Sequence, residues 1–210
     1  QEGWNYHLEQ KEGPLKYNGV VYNEMKGAFS SPDEVLEREI MNHLFPDTTY
    51  GCESGGDPKN IPDLTYENFL NFHRTYYHPS NSYIYLYGNM DMEEKLAFLD
   101  EHYLSHFDYL DVDSVIQEQK AFGACRDVTL EYPVAENEGE EDNTYLSYNM
   151  VVGNAADSQM AMAFEVLDYA LLSAPGAPLK QALLDVKAGK DVYGSYDDGI
   201  LQPYFTVIAK

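Results

Sequence analysis

Two apolar periods run through this chain, and neither an all-helical nor an all-strand fold accommodates both. Val35, Leu36, Ile40, Leu44 and Phe45 recur at helical spacing, as do Met160, Phe164, Leu167 and Leu171. Val128, Leu130 and Tyr132 alternate instead, as do Leu146, Tyr148, Met150 and Val152, which is the spacing of one face of a strand. Helical and strand patterns occur in both halves, so the chain reads as α+β layers rather than a doubly wound sheet.

Punctuation residues place the elements. Gly19 to Phe29 has a helical spacing through Val20, Val21, Met25 and Ala28. Ser31-Pro32-Asp33-Glu34 then sets an N-cap serine, a proline at the first helical position and a glutamate at the third, and the helix it opens stops at Pro46. After the Gly- and Pro-containing loop from Ser54 to Asp63, Thr65 caps a helix bearing Phe69, Phe72 and Tyr76, which His78-Pro79-Ser80-Asn81 breaks. Tyr83 to Tyr87 reads as a short strand. Asp91 and Glu94 start a helix with Leu96, Leu99, Tyr103 and Leu104. Between Phe107 and Gly123 the pattern weakens, so a boundary falls there. Strands over 128–132 and 146–152 follow, joined by an acidic stretch from Glu131 to Asp142 that reads as a solvated hairpin loop. A helix from about Asp157 to Leu172, a shorter one from Pro178 to Leu184, and strands near Val192 to Tyr196 and Tyr204 to Ala209 complete the pattern. The first residues carry no signal-peptide pattern and the last stop inside a strand pattern, so both ends read as internal cuts in a longer parent.

Charge narrows the partners. A formal net charge of −23, from 13 Lys and Arg against 36 Asp and Glu, leaves no concentrated basic surface for a phosphate backbone. No apolar run approaches the roughly 18 residues of a bilayer span. Basic or cationic partners fit better. Cys52 and Cys125 are far apart and form no CxxC pair, so neither a disulfide framework nor a thiolate zinc knuckle is indicated.

Six histidines and many carboxylates invite a search for a metal site. His102 and His106 stand at i and i+4, a spacing that binds transition metals, yet no glutamate base lies within the motif, and imidazoles also suit a helix C-terminus. His73 and His78 flank a helix end. His7 has no histidine partner. No G-x-S-x-G occurs, Ser54-Gly55-Gly56 lacks a nearby histidine pattern, and Cys52 with His73 is a weak nucleophile pair. Glu24 carries more weight. It sits in the apolar stretch VVYNEMKG, where a buried carboxylate needs a partner or a cation; the plainer alternative is a surface glutamate bonded to Lys26 or a backbone amide.

The span from Gly19 to Asp91 contains the linked strings NEMKGAFS, FPDTTYG, SGGDP and YYHPSN, and it resembles the presequence protease branch of the insulinase (pitrilysin) metallopeptidases. The later strings LLSAPGAPLKQALLD and GSYDDGILQPYFTVIAK resemble the start of that branch's second domain. The resemblance implies an α+β insulinase/mitochondrial processing peptidase-like fold, with sheets carrying helices on one face. It implies the latter part of a catalytic domain over 1–107, a linker over 108–122, and the first part of a non-catalytic domain over 123–210. It also implies one zinc per intact chain, held by an inverted H-x-x-E-H motif and a distal glutamate. Glu24 matches that distal ligand. This chain has no H-x-x-E-H, so the general base is expected upstream of Gln1, no catalytic residue lies here, and the isolated piece is expected to be inactive. Implied partners are unfolded, basic peptides enclosed between two chamber halves of a monomeric parent, with no nucleic acid and no membrane. The alternative is a catalytically silent peptide-binding or structural relative. Compartment and substrate-binding residues stay open.

The N-cap at Ser31 generates a measurable expectation. Ser31→Ala should cost about 1 kcal/mol in urea unfolding, whereas an unchanged midpoint would place the helix start elsewhere.

Overall fold

The computed structural model describes residues 2–134, 139, 141 and 143–210. In chain order it contains strands β1 (Asn5–His7) and β2 (Lys16–Asn18), helices α1 (Val20–Ala28), α2 (Pro32–Leu44), α3 (Tyr66–Tyr76) and α4 (Met92–His102), strand β3 (Leu146–Val151), helices α5 (Ser158–Asp168) and α6 (Pro178–Asp185), and strands β4 (Val192–Asp197) and β5 (Tyr204–Ala209). A π-helical turn, Tyr169–Ser173, prolongs α5.

Caps written in the sequence start the helices. The Ser31 hydroxyl accepts from Glu34 N–H at 3.3 Å, ahead of Pro32 at the first helical position. Thr65 and Asn68 form a full reciprocal box at the start of α3. Asp91 and Asp157 accept from the backbone N–H of Glu94 and Met160 to start α4 and α5. Each such bond satisfies a donor that the first helical turn leaves open.

The sheet is β3-β5-β4, antiparallel throughout, with β5 central and Phe205 opposite both Met150 and Tyr196. Period-two alternation sends β5 side chains to opposite faces. Phe205 and Ala209 join Val152, Leu172 and Val192 in one core, against which α5 and α6 pack through Phe164, Leu179 and Leu183. Tyr204 and Ile208 face the other way and meet Ile40, Leu44 and Phe45 at the end of α2. Phe45 is fully buried, its ring edge-on to Tyr50 and Tyr204. Burial of each such side chain stabilises by about 1.5–3 kcal/mol. The helix opened by Ser31 therefore covers a sheet whose central strand lies far along the chain.

Polar contacts reinforce this contact between α2 and the sheet. Tyr193 Oη donates to Asp33 at 2.8 Å, and Leu201 N–H donates to Tyr50 Oη at 3.1 Å. Tyr204 Oη donates to Asp197. Burial first, then the charges of Asp197 and Glu37, hold the Tyr204 phenol well above its ordinary range. Gln119 is buried within the stretch of weak pattern. Its side chain accepts from Asp47 N–H at 2.9 Å and donates to Asp47 Oδ2 at 2.7 Å. Its backbone N–H donates to Gln202 Oε1 at 2.5 Å, and Gln202 Nε2 returns a bond to its carbonyl at 3.2 Å. One glutamine thus ties the end of α2 to the entry of β5.

Two expectations about strands are corrected. Residues 83–87 form no strand: Tyr83, Tyr85 and Tyr87 are exposed, and no ladder partner runs beside them among the described residues. Residues 128–132 form none either, with Val128 and Leu130 exposed. Alternation prepares a strand, but a hydrogen-bonded neighbour makes one. Conversely the hairpin β1–β2, pairing Tyr6 with Tyr17, was not expected. Residues 135–138, 140 and 142 of the expected acidic hairpin loop lie outside the described residues.

Two outcomes follow from the contact between α2 and the sheet. Gln119→Ala leaves Asp47 and its amide short of partners and should lower unfolding stability by about 1–3 kcal/mol, read from urea midpoints; a wild-type midpoint would remove Gln119 from this role. Glu37, beside the hollow between α2 and the sheet, has its carboxyl pushed above the ordinary 4.5 by partial burial first, then by Glu34, Asp197 and Glu53. The folded state therefore holds this proton more tightly than the unfolded state does, and stability falls as pH rises from 4.5 through the folded pKa. Glu37→Gln should stabilise the fold modestly at neutral pH, with the gain vanishing below that window in urea titrations.

Candidate functional site

Glu24 lies midway along α1, and the local sequence explains how that helix is fixed. Gly19 precedes it with φ 150°, and a Cβ there would lie 2.5 Å from the Gly3 carbonyl oxygen, so only glycine fits. The carbonyls of Glu2 and Gly3 accept from Val21 and Tyr22 N–H at 2.9 and 3.1 Å, filling two open donors of the first turn. Asn23 Nδ2 adds a 2.8 Å bond to Asn18 Oδ1. At the other end Phe29 N–H donates to the Met25 carbonyl, and the Ser30 hydroxyl to that of Gly27.

The hairpin β1–β2 supports this entry. Trp4, Tyr6 and Tyr17 pack ring to ring, with Trp4 edge-on to both tyrosines and the tyrosines stacked at 5.5 Å. Tyr22 of α1 touches Tyr17 at 6.0 Å. The alternation Trp4, Tyr6, Leu8 was the available signal for this strand, short as it is.

The Glu24 side chain is exposed, so the cost of burying a carboxylate does not bear on it. Neither Lys26 nor a backbone amide holds it, and it makes no hydrogen bond or ion pair among the described residues. The loop read as SGGDP lies against the neighbouring residue: a Cβ on Gly55 would sit 2.2 Å from Met25 Sδ. Glu24 is thus an open carboxylate on a short helix anchored at both ends.

The histidines have other surroundings. His73 stacks on Tyr77 at 4.7 Å, His78 Nδ1 accepts from Ser80 N–H at 3.2 Å, and His102 lies against Phe98 at 4.6 Å. His43 Nδ1 bonds the Glu39 carbonyl at 2.7 Å. His102 closes α4, while His106 ends a separate 3-10 turn, so the two do not share one helix. Among the described residues no three His, Cys, Asp or Glu side chains converge as a metal site. Both cysteines are exposed and free. For a zinc ion Glu24 fits as one donor in type and in openness, but one carboxylate does not hold the metal; the remaining donors have to come from outside these residues.

Two residues that matter here escaped the sequence reading. Arg38 of α2 has a side chain only 13% exposed and reaches the loop at Asp57. Gln119 sits where the pattern weakens. Neither has a spacing signal, because both act across long stretches of chain.

Comparison with known proteins shows what this chain is similar to. The family model described as "Peptidase M16 inactive domain" matches residues 63–210. Protein HypA of Clostridium perfringens is 52% identical over 210 residues, covering 100% of this chain and 22% of that protein. Presequence protease 1, chloroplastic/mitochondrial, of Arabidopsis thaliana is 39% identical over 211 residues, covering 99% of this chain and 19% of that protein. The mitochondrial presequence protease of Xenopus laevis is 36% identical over 195 residues, covering 91% of this chain and 19% of that protein. The chain thus spans about a fifth of the length of these curated relatives. A solved M16-like peptidase from Alicyclobacillus acidocaldarius shares the fold, with a TM-score of 0.51 at 17% identity over 90% of this chain and 44% of that one.

Proposed function

The chain belongs to the M16 (insulinase, pitrilysin) peptidase family, and from that premise we propose that it is part of a zinc metalloendopeptidase that degrades short, unstructured peptides inside an enclosed chamber. In this reading residues 1–107 are the latter part of the catalytic domain, 108–122 a linker, and 123–210 the first part of the non-catalytic domain. Glu24 is one zinc ligand of the intact protein. The other donors and the general base lie outside these residues, so the isolated 210-residue chain has no peptidase activity.

One observation carries the reading: the carboxylate of Glu24, within NEMKG, stands open and unpaired on a helix fixed at both ends. A carboxylate oxygen is a normal zinc donor, and a pinned helix holds it without the entropy cost of a mobile loop. The peptide substrate class rests on the relatives' names as presequence proteases. A net charge of −23 favours basic peptides among them, because walls of one sign raise the local concentration of the opposite one.

Zinc analysis of the intact parent polypeptide tests this. Wild type should carry about one zinc per chain, the number that a single three-ligand catalytic site holds, and Glu24→Gln should lose most of it while keeping its circular dichroism spectrum. Equal zinc in both proteins would remove Glu24 from the site. A folded wild type without zinc would turn the assignment to a catalytically silent, peptide-binding relative.

A further inference from the structure

We infer that Arg38 is a positioning residue for the Glu24 carboxylate, acting through the C-terminal end of α1; the inference rests on the reading of Glu24 as a ligand. None of the α1 residues is buried among the described residues, so within them no core contact fixes the rotation of this helix. The backbone bonds from Glu2 and Gly3 hold its first turn. Its other end is held by side chains that converge on Arg38.

The Arg38 guanidinium lies over the Phe29 ring, 4.5 Å from its centroid, and Phe29 is the residue that ends α1. One terminal nitrogen bonds Glu39 Oε1 at 2.8 Å, and the other lies 3.7 Å from Asp57 Oδ2. Asp57 organises the glycine loop. Its carboxylate accepts from Lys59 N–H at 2.8 Å, and its carbonyl from Asn60 and Ile61 N–H. That loop presents Gly55 to Met25, the neighbour of Glu24. Two arms therefore leave one guanidinium, one through Phe29 and one through Asp57 and Gly55, and both close on the same helix.

The chemistry suits arginine. A planar cation stacks on a ring while its two terminal nitrogens reach separate carboxylates, whereas the ammonium of lysine is a point charge on a flexible stem. Arg38 Nε is buried with no hydrogen-bond partner. The group thus gives up one hydrogen bond in this place, and its stacking and paired terminal nitrogens are what it gains there. Its main chain belongs to α2, whose far end sits in the core with Tyr204 and Ile208, so the guanidinium is mounted on the most firmly packed helix of the first half. The position of α1 is referred through it to the sheet.

The test uses the intact parent polypeptide with Arg38→Ala, Arg38→Lys and Glu24→Gln. Hydrogen exchange is read over residues 20–29 and over β5, with the rate of zinc release to a chelator read alongside. Arg38→Ala should speed exchange over 20–29 by about tenfold or more while β5 stays protected, and should speed zinc release. Arg38→Lys, which keeps the charge and loses the plane, should fall between alanine and wild type in both. Wild-type exchange and zinc release in Arg38→Ala would overturn the inference. Equal loss of protection in α1 and β5 would also overturn it, since Arg38 would then support the fold as a whole. Should Glu24→Gln release zinc no faster than wild type, the ligand reading falls, and the role of Arg38 toward a metal falls with it; faster release in Glu24→Gln beside unchanged release in Arg38→Ala would sink the positioning role alone.

Discussion

The packing of Ile40, Leu44 and Phe45 against Tyr204 and Ile208 decides how the rest of this chain is arranged. A three-stranded antiparallel sheet has two faces, and α5 with α6 covers one of them. Left bare, the other would expose the apolar side chains of β5 to water, an unfavourable state for a strand this rich in large residues. The end of α2 covers it. That contact draws a helix from the first half onto a sheet of the second, and the hydroxyl and amide bonds of Tyr193, Tyr50 and Gln119 then gather at its margin.

From this contact a line of support runs to the candidate ligand. The core fixes α2; α2 carries Arg38; Arg38 reaches Phe29 and the Asp57 loop; and these abut α1, where Glu24 stands. Among the described residues the helix bearing this carboxylate buries nothing of its own. Within them its position is set by neighbouring loops and by α2. The same closeness shows at two glycines beside α1: Gly19 has the backbone of Gly3 and Trp4 against it, and Gly55 has the Met25 side chain.

Much of the first half keeps its apolar side chains in the open. Phe69 and Phe72 of α3, Leu96 and Phe98 of α4, and the tyrosines at 83, 85 and 87 are all exposed. The periodicity that predicted α3 and α4 is real, since both form with the expected caps. What the periodicity foretells is a face able to be covered, and the cover is a separate matter of long-range contact. A helix closes its backbone hydrogen bonds within its own segment, whereas a strand needs a neighbour's backbone to close them. This is why α3 and α4 are present while 83–87 and 128–132 are not strands.

The sequence by itself determined the local grammar. The caps at Ser31, Thr65, Asp91 and Asp157, the α+β mixture, the strands at the C-terminal end, and the family strings around Glu24 all depend on residues a few positions apart. Membership of the M16 family was legible in the same way, because NEMKG, FPDTTYG and SGGDP are contiguous. Only the tertiary structure decided that Glu24 is open rather than buried, that α2 caps the far sheet, and that Arg38 and Gln119 tie distant segments together. The physical reason is one of range. Capping bonds and apolar periods are closed within a turn or two of chain, while the partners of Arg38, Gln119 and β5 are chosen by which surfaces must leave water together.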